Sequence, residues 1–111
     1  MLLLTNKLKS ALPKLYSNED KGDSAMIVGK FFCPWNQWTW YLMEYDGEDT
    51  FFGYVIGMEN ELGYFSLSEL KSITKYGMGI ERDKHFKPLT LRELKEEYKH
   101  YYIERKDVAN G

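Results

Sequence analysis

Lysine and arginine are absent from forty consecutive residues, Phe31 to Leu70. The segment holds twelve of the chain's eighteen aromatic residues and seven carboxylates: Glu44, Asp46, Glu48, Asp49, Glu59, Glu61 and Glu69. The flanks contain all fifteen basic side chains and ten acidic ones, a net charge of +5 against −7 for the segment. Charge separated along a chain often becomes charge separated on a surface, where it attracts partners of opposite sign. We therefore expect binding through an acidic, aromatic sheet.

Cysteine is almost absent as well, since Cys33 is the only one. A single cysteine excludes an internal disulfide and any zinc site made of several cysteines, and it suits a reducing cytoplasm. Because hydrophobic residues surround it, we predict that Cys33 belongs to the core. Lys7 and Lys9 interrupt the short apolar start, and no apolar run reaches the roughly 20 residues of a membrane span. The sequence predicts a cytoplasmic protein without export signal or membrane association.

Enzyme motifs are also missing. The chain has no phosphate-binding glycine loop, no HExxH and no GxSxG motif. Its net charge of −2 argues against a general nucleic-acid binder, which normally has a large basic excess. With 111 residues, 43% of them hydrophobic, the chain is expected to form a single domain spanning residues 1–111.

Hydrophobic patterning predicts an α+β fold, in which an antiparallel meander of about four strands is flanked by about three helices. Thr5, Ser66 and Thr90 mark the helix starts, and the last two are followed by a glutamate three residues later. With so few helices, we expect them to cover one face of the sheet. The predicted helices are Asn6–Leu12, Ser66–Ile73 and Leu91–Arg105, and the predicted strands are Ala25–Cys33, Gln37–Tyr45, Thr50–Met58 and Gly63–Ser66.

The second and third predicted strands carry apolar and aromatic residues on both faces. Both faces are therefore expected to be at least partly covered, by helices, a long loop or a partner. One interpretation is a core closed by loops and by a second copy in a homodimer. The other is a recognition surface of tryptophan and tyrosine, residues enriched at binding hot spots. Since alternate residues share a face, we predict Trp38 and Trp40 inward and Tyr41 and Tyr45 toward a partner.

Gly53 and Gly57 fall on one face of the third predicted strand. Without side chains, they leave that face shallow. We expect a large ring from elsewhere in the sheet to lie over them.

Carboxylates cluster at two predicted turns, over Glu44–Asp49 and Glu59–Glu61. Paired carboxylates could bind a divalent ion or act as acid and base, although this spacing does not match a calcium-binding loop. Consecutive turns of a meander lie at opposite ends of its strands, so the two groups need not meet. A solvated acidic rim is the simpler interpretation.

An acid, a base and an imidazole come together only in Glu81–His85. His85 could act as a general base oriented by Asp83, if both lie on one face of a strand. The simpler interpretation gives Arg82 an ion pair with the acidic rim.

A combined motif across the chain resembles one protein family. It consists of Trp38–Tyr41, Glu44–Asp49, Phe52–Gly53, Glu61–Leu67 and Ile80–Asp83. The block is similar to the bacterial family known as domain of unknown function 2958, over about Leu3 to Leu94. The family has no established activity to carry over. Its members are associated with plasmids, conjugative elements and phages, often near anti-restriction genes, which implies a counter-defence role.

We therefore predict a non-catalytic binding protein of a mobile genetic element, without cofactor or metal, that inhibits a host CRISPR or restriction nuclease or nucleoprotein complex. An acidic surface suits the basic channel of such a partner. The alternatives are a metal-dependent hydrolase or nuclease using the acidic turns, and an accessory protein that binds RNA or DNA through the basic C-terminal helix with Lys95, Lys99, Arg105 and Lys106. The predicted partner-binding residues are Tyr41, Glu44, Tyr45, Asp46, Glu48, Asp49, Glu59, Glu61 and Arg82.

Overall fold

A computed structural model describes residues 2–99. Helix α1 is Asn6–Ala11, α2 is Leu67–Ser72, and α3 covers residues 91–99; a 3-10 turn lies at Gly22–Ser24. The strands are β1 Met26–Ile27, β2 Gly29–Phe32, β3 Thr39–Tyr45, β4 Thr50–Ile56, β5 Asn60–Ser66, β6 Thr74–Lys75, β7 Met78–Gly79, β8 Glu81–Arg82 and β9 Leu89–Thr90.

The main sheet has five antiparallel strands in the order β5-β4-β3-β2-β8. Strands β2 to β5 form the predicted meander, and the α+β fold class is confirmed. Strand β8 joins beside β2, while β1 pairs with β9 and β6 pairs with β7 in two small sheets. The segment predicted as one strand, Ala25–Cys33, divides at Val28 because β1 leaves the main sheet to pair with β9. Strand β5 begins three residues earlier than predicted.

The helix starts follow the predicted capping pattern. The Thr5 hydroxyl accepts the N–H of Leu8 at 3.1 Å, and the Ser66 hydroxyl accepts the N–H of Glu69 at 3.1 Å. At α3 the exchange is reciprocal, since Thr90 Oγ1 accepts from Glu93 N at 3.1 Å and Glu93 Oε1 accepts from Thr90 N at 3.0 Å. Side-chain caps satisfy amide groups that a helix start leaves unpaired. The predicted continuation of α3 to Arg105 lies outside the described residues.

Hydrophobic cores lie on both faces of the sheet. The front face, which carries Trp40, Leu42 and Phe51, packs against the N-terminal segment, α1 and α2. The back face, which carries Tyr41, Met43 and Ile56, packs against Leu91 and Leu94 of α3. The expectation that helices cover one face only is therefore wrong. The apolar residues found on both faces of β3 and β4 already required cover on both sides.

A β-bulge at Met43 determines which side chains reach each face. Leu42 pairs with Gly53 and Glu44 pairs with Phe52, so Met43 is an extra residue in β3. Because a bulge shifts the alternation by one position, Glu44 joins Met43 on the back face and Tyr45 joins Leu42 on the front. All seven residues of β3 are buried.

Candidate binding site

The predicted partner-binding residues do not form one surface. Tyr41, Glu44 and Tyr45 are buried, and Arg82 is half-buried. The remaining five occupy the β3–β4 turn (Asp46, Glu48, Asp49) and the opposite end of β4 (Glu59, Glu61). The expectation that the two acidic groups need not meet is confirmed, because consecutive turns of the meander lie at opposite ends of its strands.

The prediction that Tyr41 and Tyr45 point toward a partner is wrong. Tyr41 is 4% exposed on the back face, and its hydroxyl hydrogen-bonds with that of Tyr98 on α3 at 3.0 Å. Burial, followed by this hydrogen bond, raises the pKa of Tyr41 above its ordinary value. Tyr45 stacks on Phe51 in the front core, with ring centroids 4.7 Å apart. The two tyrosines lie on opposite faces because the bulge falls between them.

Trp40 points inward as predicted, but Trp38 remains 37% exposed. The two rings do share a side, since they stack with centroids 5.9 Å apart. Trp38 precedes β3 and lies at the margin of the core. The prediction for the two glycines is confirmed: the Trp38 ring lies over Gly57, and the Phe65 ring lies 3.3 Å from where a Cβ on Gly53 would be.

The acidic β3–β4 turn is stabilised from within and lies near basic residues. Asp46 Oδ1 accepts three backbone N–H groups, and Asp49 accepts the N–H and hydroxyl of Ser68 at 2.9 and 2.7 Å. Gly47 has a φ of 89°, a left-handed conformation that glycine adopts readily in an Asp-Gly turn. Lys9 and Lys14 line the same depression as Asp46. The net charge around this turn is therefore closer to zero than the sequence suggested.

The hydrogen bonds to Asp46 predict a specific loss of stability in acid. The N–H groups of Glu48, Thr50 and Asp49 favour the carboxylate and lower the pKa of Asp46. A pKa lower in the folded state adds stability that is complete above the unfolded value of about 3.9 and is lost as pH falls through the folded pKa. Asp46→Asn should therefore lose stability at neutral pH, and its deficit against wild type should shrink toward pH 3, as measured by urea unfolding.

Glu48→Gln serves as the control for Asp46→Asn, because it removes a neighbouring carboxylate and leaves the three hydrogen bonds in place. Parallel pH profiles for wild type and Asp46→Asn would show that this turn does not contribute to acid sensitivity.

The side chains of Arg82 and Asp83 form hydrogen bonds with backbone groups, and for Asp83 the backbone is that of His85. Arg82 Nη1 donates hydrogen bonds to the carbonyl oxygens of Leu2 and Leu3, the second at 3.2 Å. Asp83 Oδ1 accepts the backbone N–H of His85 at 2.9 Å, which closes a turn. The expected strand alternation does not apply here, since β8 ends at Arg82. The imidazole of His85 is exposed, and Asp83 orients its backbone.

An open groove lies on the back face, between β5 and the loop formed by residues 16–25. Its volume is about 340 Å³. Phe52, Leu62 and Tyr64 form its floor and outer side, and Tyr16 approaches from the loop. Tyr16 is 59% exposed, Tyr64 56% and Leu62 45%. We call this feature the acidic aromatic groove, because its charged lining residues are Glu19, Asp23 and Glu44, and no lysine, arginine or histidine in the described chain lines it.

Glu44 positions one side of the groove. Its carboxylate oxygens accept the backbone N–H groups of Tyr16 at 2.8 Å and Asn18 at 3.0 Å. These bonds satisfy a buried carboxylate and hold Tyr16 at a φ of 71°, which is unfavourable for a bulky residue. Glu44 therefore acts by holding the loop across the sheet, with the Tyr16 ring at the groove.

The electrostatics of the groove are negative. A hydrogen bond with Tyr16 is the main cause of the raised pKa of Tyr64, and the carboxylates of Glu44 and Glu19 raise it further. At the rim, Asp23 forms an ion pair with Lys95 of α3 at 3.0 Å. Of the residues predicted as a basic nucleic-acid surface, Lys95 is thus engaged with a carboxylate, and Arg105 and Lys106 lie outside the described residues.

None of the exposed groove residues belongs to the predicted set, whose one member in the lining is the buried Glu44. Tyr16 and Glu19 lie outside every predicted helix and strand, and Leu62 precedes the predicted start of the fourth strand. One signal was available: Glu44 is a carboxylate within an otherwise apolar strand, and a buried carboxylate needs hydrogen-bond donors from elsewhere in the chain.

Two further properties concern the described residues. Within residues 2–99, no three side chains of histidine, cysteine, aspartate or glutamate come together in a way that could hold a metal ion. None of the helices in this part of the chain is long and apolar enough to cross a bilayer. Cys33 is buried in the front core as a free thiol, as predicted.

Comparison with known proteins identifies a family. The model of the family described as "Protein of unknown function (DUF2958)" matches residues 3–97, most of the chain. The chain belongs to this family, and the resemblance noted in its sequence is confirmed. Searches of curated proteins and of solved structures gave no match.

Proposed function

We propose that this chain, a member of the DUF2958 family, is a non-catalytic binding protein that holds a basic segment of a partner protein in its acidic aromatic groove. The observation that carries the proposal is the lining of the groove. Two exposed tyrosines, Tyr16 and Tyr64, lie beside the exposed carboxylate of Glu19, and no basic residue of the described chain lines the groove. The buried Glu44 and the Lys95-paired Asp23 add two further carboxylates to the lining.

The groove suits a cationic side chain with a long apolar stem. Carboxylates attract arginine and lysine, and the faces of tyrosine rings attract cations. Phe52 and Leu62 supply apolar surface for the stem of such a side chain. Tyrosine is also enriched among the residues that dominate binding energies. The same groove would repel an acidic segment.

The strands around the groove add no positive charge to it. Strands β3, β4 and β5 are neighbours, and neither they nor their connecting turns contain lysine or arginine. Within residues 2–99, lysine and arginine lie in β2, β6, β8, the helices and the loops outside these three strands. The negative field of the groove accelerates association with a basic partner and weakens as salt increases.

The partner that we propose is a host defence nuclease or nucleoprotein complex, of the CRISPR or restriction type, with this chain encoded by a mobile genetic element. Such complexes have basic surfaces that bind nucleic acid, which an acidic protein can occupy. The location proposed is the cytoplasm, where the free thiol of Cys33 would stay reduced.

Tyr64→Ala should weaken inhibition of the target nuclease. With purified restriction and CRISPR nucleases, wild type should block DNA cleavage by its target, and the block should weaken at high salt. Tyr64→Ala should raise the half-inhibitory concentration by about tenfold or more, because an exposed ring that lines the groove is lost.

Tyr76→Ala is the matched control, since Tyr76 is 87% exposed and lies outside the groove. Equal effects of the two substitutions on inhibition would show that the groove is not part of the binding surface. Failure of wild type to inhibit any nuclease in the panel would refute the counter-defence role.

A further inference from the structure

Strand β5 forms a long edge of the main sheet. It pairs with β4 along all seven of its residues. No other strand in the described part of the chain pairs with its opposite side. The other edge strand, β8, has only two residues, and its Arg82 is bonded to the N-terminal segment. The sheet therefore offers one extended edge.

This edge has few of the features that prevent strand addition. Proteins usually protect an edge with proline, lysine, a bulge or a very short strand. Strand β5 contains neither proline nor lysine, and its register with β4 is continuous. Its one charged residue is Glu61.

The edge and the acidic aromatic groove are continuous. Leu62 and Tyr64 are on β5, pair with Tyr54 and Phe52 on the back face, and form the outer side of the groove. An added strand would lie about 4.8 Å beyond β5, so its side chains on the back face would lie next to these two residues. Arginine and lysine are long enough to reach across one strand spacing to the groove.

We propose that β5 receives an extended, basic segment of the partner protein as a sixth strand, with its cationic side chains directed at the acidic aromatic groove. The inference rests on the proposed function and specifies the form of the bound segment. Backbone hydrogen bonds to β5 would supply affinity, and the groove would select the charge of alternate side chains.

Charge decides between the conceivable occupants. The carboxylates near this edge are Glu59 and Glu61 at the start of β5 and Glu19 in the groove. A second copy of this chain paired through β5 would bring the same carboxylates onto the same edge. A basic strand instead brings cations to an edge whose nearby carboxylates attract them.

The test uses a labelled peptide of alternating arginine and threonine, capped at both ends and matched in length to β5. Two further peptides carry N-methyl groups on the odd or on the even residues, which keeps the charge but removes donors from one edge of the strand. A peptide of alternating glutamate and threonine controls for charge. Fluorescence anisotropy measures affinity, and amide hydrogen exchange reports on residues 61–65.

We expect the unmodified basic peptide to bind and to slow exchange in residues 61–65. One methylated peptide should lose affinity about tenfold or more, because several backbone hydrogen bonds disappear, while the other keeps it. Equal binding by both methylated peptides would overturn strand addition and leave the groove proposal intact. No preference for the basic over the acidic peptide would overturn both. A dimer whose residues 61–65 are already protected would place a second copy on this edge and overturn the inference.

Discussion

Gly53→Ala should destabilise the protein by about 3 kcal/mol or more, a large effect for adding one methyl group. A Cβ at this position would overlap the backbone carbonyl oxygen of Tyr41 and would also contact the Phe65 ring. The Tyr41 carbonyl cannot move aside easily, since β3 is held between β2 and β4. Chemical unfolding, with the midpoint and slope both recorded, measures the effect.

Gly63→Ala is the matched control for Gly53→Ala. Gly63 pairs directly with Gly53 across β4 and β5, and no atom lies within 4 Å of where its Cβ would be. We expect stability within about 1 kcal/mol of wild type, because alanine also restricts the unfolded chain. If the two variants were equally stable, β3 and β4 would not approach as closely at the bulge as described.

Phe51→Ala should destabilise the protein by about 3–5 kcal/mol, the usual range for removing a fully buried phenylalanine. Phe51 has no exposed surface, and its ring lies at the centre of an aromatic cluster. It stacks on Tyr45 and Phe65 at 4.7 and 5.4 Å and meets the edge of Phe31 at 5.9 Å. A small domain has only about 5–15 kcal/mol of stability, so the variant should be close to unfolded at 37 °C.

Phe52→Ala makes the same substitution one residue later, on the opposite face. Phe52 is half-buried in the acidic aromatic groove, where its ring lies 5.0 Å from that of Tyr64. We expect a cost of about 1–2 kcal/mol, in proportion to its smaller buried area. Thermal and urea unfolding of the two variants compare the faces directly. A cost for Phe52→Ala as large as that for Phe51→Ala would mean that the groove is closed in solution.

The bulge at Met43 links the stability of the sheet to the construction of the groove. It places Glu44 on the back face, where the carboxylate holds Tyr16 and Asn18. It also brings the Tyr41 carbonyl close to Gly53, which explains why alanine is not tolerated there. One extra residue in β3 thus determines both the position of Tyr16 and the requirement for glycine.

Local chemistry made several features predictable. The hydroxyls of Thr5, Ser66 and Thr90 predicted the starts of α1, α2 and α3, and a glutamate three residues later marked the last two. These starts were predictable because capping involves residues within one helical turn. The turn at Asp46-Gly47, with its positive φ at Gly47, depends on similarly local chemistry. Tyr45 was misplaced because the bulge depends on how two strands pair, which neither strand's sequence reveals. Tyr41 was misplaced because α3 covers the back face.

The sequence by itself determined the α+β class, the meander of β2 to β5, the helix starts and the segment without lysine or arginine. These properties follow from hydrophobic period, capping chemistry and composition, which involve residues close together in the chain. Only the tertiary structure decided which aromatic residues are exposed and where the acidic site lies. The groove joins Tyr16, Phe52 and Tyr64 from distant parts of the chain, and their meeting depends on strand register, the bulge and the hydrogen bonds of the buried Glu44.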